Sequence, residues 1–116
     1  MPISVSEVPS NRKFDRKLDP SGELDYTIDW SNVLDSNTID TVSTTLSTSA
    51  STAGLEILQE SNDDTTSTIR LGVVSGQETN SSFDPPGGSE LAFKQTMTDS
   101  AGQIWEFTFT VTVVQQ

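Results

Sequence analysis

The run Ile104–Val113, IWEFTFTVTV, decides the fold of this 116-residue chain. From Trp105 onward its apolar side chains alternate with glutamate and threonine, which is the period-two pattern of a β-strand with one buried face. Just before it stands Asp99-Ser100-Ala101-Gly102, a four-residue connection whose last residue is a glycine, as a type I turn followed by a left-handed residue requires. The sequence therefore predicts a hairpin between residues 90–98 and 104–114, with Met97 and Trp105 flanking the turn.

Shorter runs of the same kind lie upstream. Residues 24–30 alternate apolar with acidic or hydroxyl side chains, and further strands are predicted at 39–47, 55–60 and 66–74, with a weak one at 14–18. The segment 75–88, which ends in Pro85-Pro86-Gly87-Gly88, is predicted to be the longest loop. No helical spacing of apolar residues persists over three turns, so we expect no substantial helix. About seven strands in all predict an all-β fold, an immunoglobulin-like two-sheet β-sandwich with an extended N-terminal arm.

The inward-facing positions of these strands supply the expected core. Its members are Leu24, Tyr26, Ile28, Trp30, Val42, Leu46, Leu55, Ile57, Ile69, Leu71, Val73, Leu91, Phe93, Met97, Trp105, Phe107, Phe109, Val111 and Val113. Phe14 and Phe83 stand outside this set. Six of the eight aromatic residues thus occupy inward positions, which leaves too few for a sugar-stacking platform on the surface.

Charge divides the chain into two parts. Seventeen acidic residues oppose six basic ones, for a net charge of −11. Residues 1–18 carry four bases and two acids, 4 − 2 = +2, whereas residues 19–116 carry two bases and fifteen acids, 2 − 15 = −13. We therefore predict two units: an extended N-terminal arm with a possible first strand at 1–18, and a β-sandwich domain at 19–116.

The basic residues of the arm, together with an aromatic among them, are the candidate partner contacts: Arg12, Lys13, Phe14, Arg16 and Lys17. Pro2 and Pro9 favour an extended lead. Two interpretations stay open, because the arm could dock on the acidic body of its own chain or on another subunit. The second is favoured, since an extended segment rises ~3.3 Å per residue and ten residues would span roughly 30 Å.

The composition removes most catalytic chemistry. Without histidine or cysteine there is no Ser-His-Asp triad, no cysteine nucleophile, no His/Cys zinc site and no disulfide. Asp25 and Asp29 share a strand face, but four residues along a strand separate them by ~13 Å, too far for a glycosidase pair. Residues 35–40 lack the glycine and the bidentate glutamate of an EF-hand loop. We expect no enzyme activity, no catalytic residue, no cofactor and no metal.

The charge and the hydropathy also bear on partners and location. A chain of −11 is a poor ligand for nucleic-acid phosphates, so we expect no nucleic-acid binding. No apolar stretch approaches the ~18–20 residues of a membrane span, so we expect no membrane insertion. The N-terminal sequence MPISVSEVPS has no signal-peptide pattern, which predicts synthesis in a cytoplasm without export.

Three stretches carry a resemblance to a known group of proteins. Leu24–Ser31 (LDYTIDWS), preceded by Lys17–Pro20 (KLDP) and followed late in the chain by Thr98–Gly102 (TDSAG), resembles small tailed-phage virion structural proteins. The resemblance covers most of residues 13–114, and its sharp part is about eight residues long. It implies an immunoglobulin-like sandwich encoded among head and head–tail genes, with a structural role and without cofactor or catalysis.

Two functions follow as expectations. The first is a capsid decoration or cement protein in the virion, made in the host bacterial cytoplasm. It would stabilise the head lattice in many copies through contacts with the major capsid protein, other virion proteins or copies of itself. The alternative is a neck- or tail-associated immunoglobulin-like module involved in recognising host-surface glycans. Copy number per particle separates the two, because a cement protein needs hundreds of copies and a neck or tail protein about a dozen or fewer.

Overall fold

The computed structural model describes residues 3–5, 13–14 and 16–115 of the chain. Strands dominate it, and they are joined by short connections. In chain order the elements are β1 (Ile3–Val5), β2 (Leu24–Asp29), α1 (Ser31–Leu34), β3 (Ile39–Leu46), α2 (Thr48–Ala53), β4 (Leu55–Asn62), β5 (Thr66–Val73), a 3₁₀ turn (Ser81–Phe83), β6 (Ser89–Asp99) and β7 (Ile104–Val113).

The strands form two sheets. Sheet A has the order β1-β2-β5-β4 and sheet B the order β3-β6-β7. All neighbouring strands are antiparallel except β1, which pairs parallel with β2. The predicted all-β sandwich is confirmed, and the helices are as short as expected, with four residues in α1 and six in α2. The immunoglobulin-like detail stays a prediction.

The C-terminal hairpin forms in the predicted register, with Met97 opposite Trp105. Its connection is held by Asp99, whose side chain is 1% exposed and accepts hydrogen bonds from the backbone N–H groups of Ala101 and Gln103. The other carboxylate oxygen of Asp99 accepts from Trp105 Nε1 at 3.3 Å. A buried aspartate therefore fixes the turn from inside, and Gly102 adopts the left-handed conformation that the sequence requires.

The core lies between the two sheets. Thirteen of the nineteen predicted inward residues are buried in it, and the other six are partly buried against it: Leu24, Val42, Leu46, Ile57, Trp105 and Phe107. Seven further apolar residues are also buried. Those added members are Phe14, Leu18, Leu34, Ile39, Ala50, Phe83 and Val114. Three polar residues are also buried: Ser67, Gln95 and Asp99. The expectation that Phe14 and Phe83 lie outside the core is wrong, since they are 2% and 0% exposed. Both come from segments without strand periodicity, so the alternation rule could not place them.

Two departures from the predicted strands concern the N-terminal part. The described residues 14 and 16–18 form no strand; instead Lys13 and Leu18 make isolated parallel bridges to β7. The three residues of β1 pair with β2, which the sequence did not predict. The division into an arm at 1–18 and a body at 19–116 stays a prediction, although Phe14 and Leu18 pack into the core of the body.

The long loop between β5 and β6 is anchored to the C-terminus. Phe83 closes the end of the sandwich, and its carbonyl accepts a hydrogen bond from the Gln115 backbone N–H. Gly88 has φ = 61°, and a Cβ there would lie 2.1 Å from the Val113 carbonyl oxygen, so only glycine fits. The loop is thereby fixed at Phe83 and Gly88, while residues 74–77 and 84–87 on either side of Phe83 stay exposed.

Candidate functional site: the sheet edges and the N-terminal segment

A sandwich offers partners its faces and its edges, and the two edges of sheet B differ. Residues 13–14 and 16–18 run beside the C-terminal part of β7. The backbone N–H groups of Phe14 and Leu18 donate to the Thr110 and Thr112 carbonyls at 3.0 and 2.9 Å. The Val114 N–H donates back to the Leu18 carbonyl at 3.0 Å. Part of this edge is therefore closed by the chain itself.

Phe14 anchors this closing segment. Its ring meets Tyr26 edge-on at 4.8 Å between centroids, and it also stacks near Phe93 at 6.0 Å. Tyr26 in turn donates its hydroxyl to the Arg16 carbonyl at 3.2 Å, and burial raises the pKa of this phenol to about 12. The segment is thus held by packing as well as by backbone hydrogen bonds.

The candidate contact residues therefore fall into different settings. Phe14 is buried in this chain, and Lys13 forms an exposed ion pair with Glu90 at 2.9 Å between Nζ and Oε2. Arg16 and Lys17 have exposed side chains. Arg12 lies outside the described residues. Of the predicted set, Arg16 and Lys17 are the two whose charge the structure places at the surface without a described ion-pair partner. Whether the set contacts a partner stays a prediction.

The edge of sheet A formed by β4 is irregular. The register shifts between Ile57 and Gln59, so Leu58 bulges out and is 41% exposed. A Cβ at Gly72 would lie 3.0 Å from Leu58 Cδ1, so the glycine makes room for the bulged side chain. A bulge of this kind twists an edge strand and interrupts its pairing surface.

The edge formed by β3 is regular over Thr41–Leu46 and carries no charged side chain there. Thr44 in the middle of it accepts a hydrogen bond from Gln95 Nε2 at 3.0 Å and donates one to Glu60 of β4. Gln95 Oε1 in turn accepts from Trp30 Nε1 at 2.9 Å and from Ser67 Oγ at 2.5 Å. A continuous polar chain therefore leads from the buried indole of Trp30 to this edge.

Acidic groups outside the core serve local structure. Asp25 forms a two-bond ion pair with Arg70, which lowers the pKa of that carboxyl and raises the pKa of the guanidinium. Asp63 accepts from the backbone of Thr65 and Thr66, and these hydrogen bonds lower its pKa. Within the described part of the chain, no three acidic residues converge as a metal site would need. Nor does any helix among those residues have the length and apolarity to cross a bilayer.

The aromatic side chains bear on glycan recognition. Of the eight, six are buried, with exposures of 2% or less, and the other two, Trp105 and Phe107, are half-buried against the core. Sugar-binding sites stack pyranose rings on exposed aromatic faces. Among the large apolar side chains of the described residues, Ile104 has the highest exposed fraction, 70%. The described surface therefore offers no exposed aromatic platform for a sugar ring.

The chain was compared with known protein families. Residues 18–82, which include β2 to β5, α1 and α2, match a family model described as podophage GP4 fiber-tail adaptor protein gp77. No curated protein matches the chain. The match confirms the expected membership of a tailed-phage virion structural protein family, so the protein is a phage structural protein and part of the virion, where it binds other virion proteins. Since more than half of the sequence is matched, the chain belongs to the family of podophage GP4 fiber-tail adaptor protein gp77.

Proposed function

We propose that the protein is a tail-associated adaptor that joins a fibre to the tail of a podophage particle, and that it acts by binding and not by catalysis. The observation that carries the proposal is the family match over residues 18–82. It favours the tail-associated alternative over the capsid decoration or cement function that the sequence alone favoured. A lattice of hundreds of copies on the head is not part of this proposal.

The surface supports an adaptor that contacts proteins. An adaptor needs two contact regions, one for the tail and one for the fibre, and the sandwich has differently built sides. One side carries the basic segment with Arg16 and Lys17, and the opposite edge of sheet B is β3, which is uncharged over Thr41–Leu46. Host-glycan recognition by this domain receives no support from the buried aromatic residues.

The basic segment is the proposed contact for one acidic partner. Its exposed charges, Arg16 and Lys17, stand on a chain whose remainder from residue 19 carries −13. Each exposed ion pair contributes only ~0.2–1 kcal/mol, so several copies must act together to matter. Docking on the chain's own body is the competing arrangement, and the Lys13–Glu90 pair is one contact of that kind.

The test is a phage that lacks the gene for this protein, complemented with the full chain or left uncomplemented. Particles without the protein should keep heads and tails but lose fibres in electron micrographs, and complementation should restore them. Quantitative mass spectrometry of purified particles should give about a dozen copies or fewer. Fibres that persist without the protein, or hundreds of copies per particle, would replace the adaptor proposal with a head function.

A further inference from the structure

The β3 edge is the longest regular open edge of the described sheets. In sheet A, one edge is the strand β1, which has only three residues, and the other is β4, which is interrupted by its bulge. In sheet B, the segment with Phe14 and Leu18 covers part of β7. No described strand or segment pairs with the outer side of β3 over Thr41–Leu46, and the register is unbroken there. Natural sheets usually protect such an edge with charge, proline or a bulge, and this one has none of these within its six residues.

The same stretch of sequence also lacks charged residues. Residues 41–55 are the longest uncharged run of the sequence, fifteen residues in a chain of net charge −11. Two copies of such an acidic chain repel one another wherever their charged surfaces meet. Over Thr41–Leu46 the β3 edge carries no charge of its own, and Glu60 of β4 reaches it through Thr44. Two copies therefore approach there with less repulsion than where their acidic surfaces meet.

The hydrogen-bond pattern shows which backbone groups are available. The Ser47 N–H donates to the Ala92 carbonyl of β6 at 3.0 Å, in continuation of the β3–β6 register. In an antiparallel pair, residues that bond the neighbour alternate with residues whose N–H and C=O point away. The backbone groups of Val42, Thr44 and Leu46 therefore point away from β6, towards the open side.

We propose that β3 pairs antiparallel with β3 of a second copy, across a two-fold axis at which Thr44 faces Thr44 of that copy. This register sets each Val42 against Leu46 of the second copy, so two half-buried apolar side chains cover each other. It also sets Ser43 against Thr45 of the second copy, a hydroxyl pair of the kind that stabilises antiparallel sheets. The two three-stranded sheets B become one six-stranded sheet.

Glu60 limits the strength of this contact. Its carboxylate bonds Thr44, so the two-fold axis brings the Glu60 carboxylates of both copies towards each other. A contact of six residues per copy also lies at the small end of protein interfaces. Association in dilute solution should therefore be weak and concentration-dependent, and it gains in strength where neighbouring copies are held close together in a particle.

Sedimentation equilibrium of the full chain tests the proposal. With rising concentration the weight-average mass should climb from 12.5 kDa towards twice that value, and E60Q should shift the association to lower concentration. T44P removes the central outward N–H but no backbone hydrogen bond to β6, so it should stay monomeric. Its matched control T44A loses the same hydroxyl and keeps the N–H, so it should associate more strongly than T44P. A wild-type chain that stays monomeric up to millimolar concentration, or a folded T44P that associates like T44A, would overturn the proposal.

Cysteine pairing tests the register even where T44P fails to fold. The natural chain has no cysteine, so every disulfide reports an introduced residue. Ser43 and Thr45 of the second copy would form a non-hydrogen-bonded pair with Cα atoms about 4.5 Å apart, within disulfide range. A mixture of S43C and T45C should cross-link at least about tenfold faster than a mixture of S43C with T108C on β7, which β6 separates from β3. Equal rates in the two mixtures would refute the β3 contact.

Discussion

The two edges of sheet B show two ways in which one chain treats an unpaired strand. At β7 the residues 13–18 supply backbone hydrogen bonds to the strand, and Phe14 and Leu18 supply buried side chains that hold the segment in place. At β3 the described chain supplies neither, and the strand presents neutral hydroxyl and apolar side chains instead. The difference shows that closing an edge takes anchored side chains in addition to backbone partners, because surface hydrogen bonds alone contribute little net free energy.

The largest expected effect comes from removing the anchor of the closed edge. F14A deletes a ring that contacts Tyr26, Phe93 and Phe109 and is 2% exposed. The lost burial and the cavity left behind should lower the free energy of unfolding by ~3–5 kcal/mol. Urea denaturation measures it, with L58A on the exposed bulge as a control that should cost less than ~1 kcal/mol. A loss in F14A no larger than in L58A would mean that the segment does not belong to the body.

A smaller loss of unfolding free energy is expected when the chain of polar side chains between the β3 edge and the core is broken. Q95A removes the acceptor of Trp30 Nε1 and Ser67 Oγ and the donor to Thr44. Leaving buried donors with weaker partners costs ~1–3 kcal/mol. T96A, on the adjacent outward position, loses only an exposed hydrogen bond to Glu106 and should be nearly neutral. Equal stability of Q95A and T96A in thermal melts would show that the polar chain does not stabilise the fold.

The regular part of the fold could be predicted because its signal is local. The β6–β7 hairpin follows from alternation and from one turn, and both are visible within about 25 residues of sequence. The three-residue strand β1 could not be predicted, because its pairing with β2 joins residues about 23 positions apart and three residues carry no period. Phe14 and Phe83 are single aromatics in polar segments, so their burial depends on tertiary contacts that no local pattern encodes.

Of the candidate contact site, the sequence could predict the basic residues but not the packing of the residues among them. The cluster of basic residues before the acidic body is evident in the sequence, but the sequence does not show that Phe14 among them packs inward. The inward position of Gln95 does follow from alternation. Its partners Trp30, Ser67 and Thr44 come from three separate parts of the chain, so the buried polar chain emerges only when both sheets are assembled.

A pH-dependent change of about 1 kcal/mol in the free energy of unfolding is expected from the turn between β4 and β5. This turn lies next to β3, because the Asp64 carbonyl accepts a hydrogen bond from the Ile39 N–H. Asp63 in the same turn accepts three hydrogen bonds, and its pKa in the folded chain is below the ordinary value of 3.8. A carboxyl with a depressed folded pKa contributes stability above its unfolded pKa and loses it as the pH falls through the folded value.

D63A should therefore have a lower free energy of unfolding than the wild type. This difference should be largest above about pH 5 and should shrink as the pH falls below 3.8, the ordinary pKa of the carboxyl. Denaturation curves of both proteins between pH 2 and 7 measure this difference. D64A removes a neighbouring carboxyl but leaves the Asp64 carbonyl in place, so it serves as the matched control. A deficit in D63A that is constant across this range would exclude the carboxylate as its cause.

The smallest effect on stability, and the sharpest on binding, is expected from R16S/K17S beside the closed edge. Both side chains are exposed, and the hydrogen bond from Tyr26 reaches the Arg16 backbone carbonyl, which the substitution keeps. Stability should therefore change by no more than ~0.5 kcal/mol, whereas binding to particles that lack the protein should weaken at low salt and converge with the wild type at high salt. K94S removes a positive charge from β6 and should leave binding unchanged, because Lys94 faces Glu106 at 3.6 Å on its own sheet. If R16S/K17S instead loses stability as F14A does and binds particles like the wild type at every ionic strength, the basic residues serve the body of their own chain and the partner contact lies elsewhere.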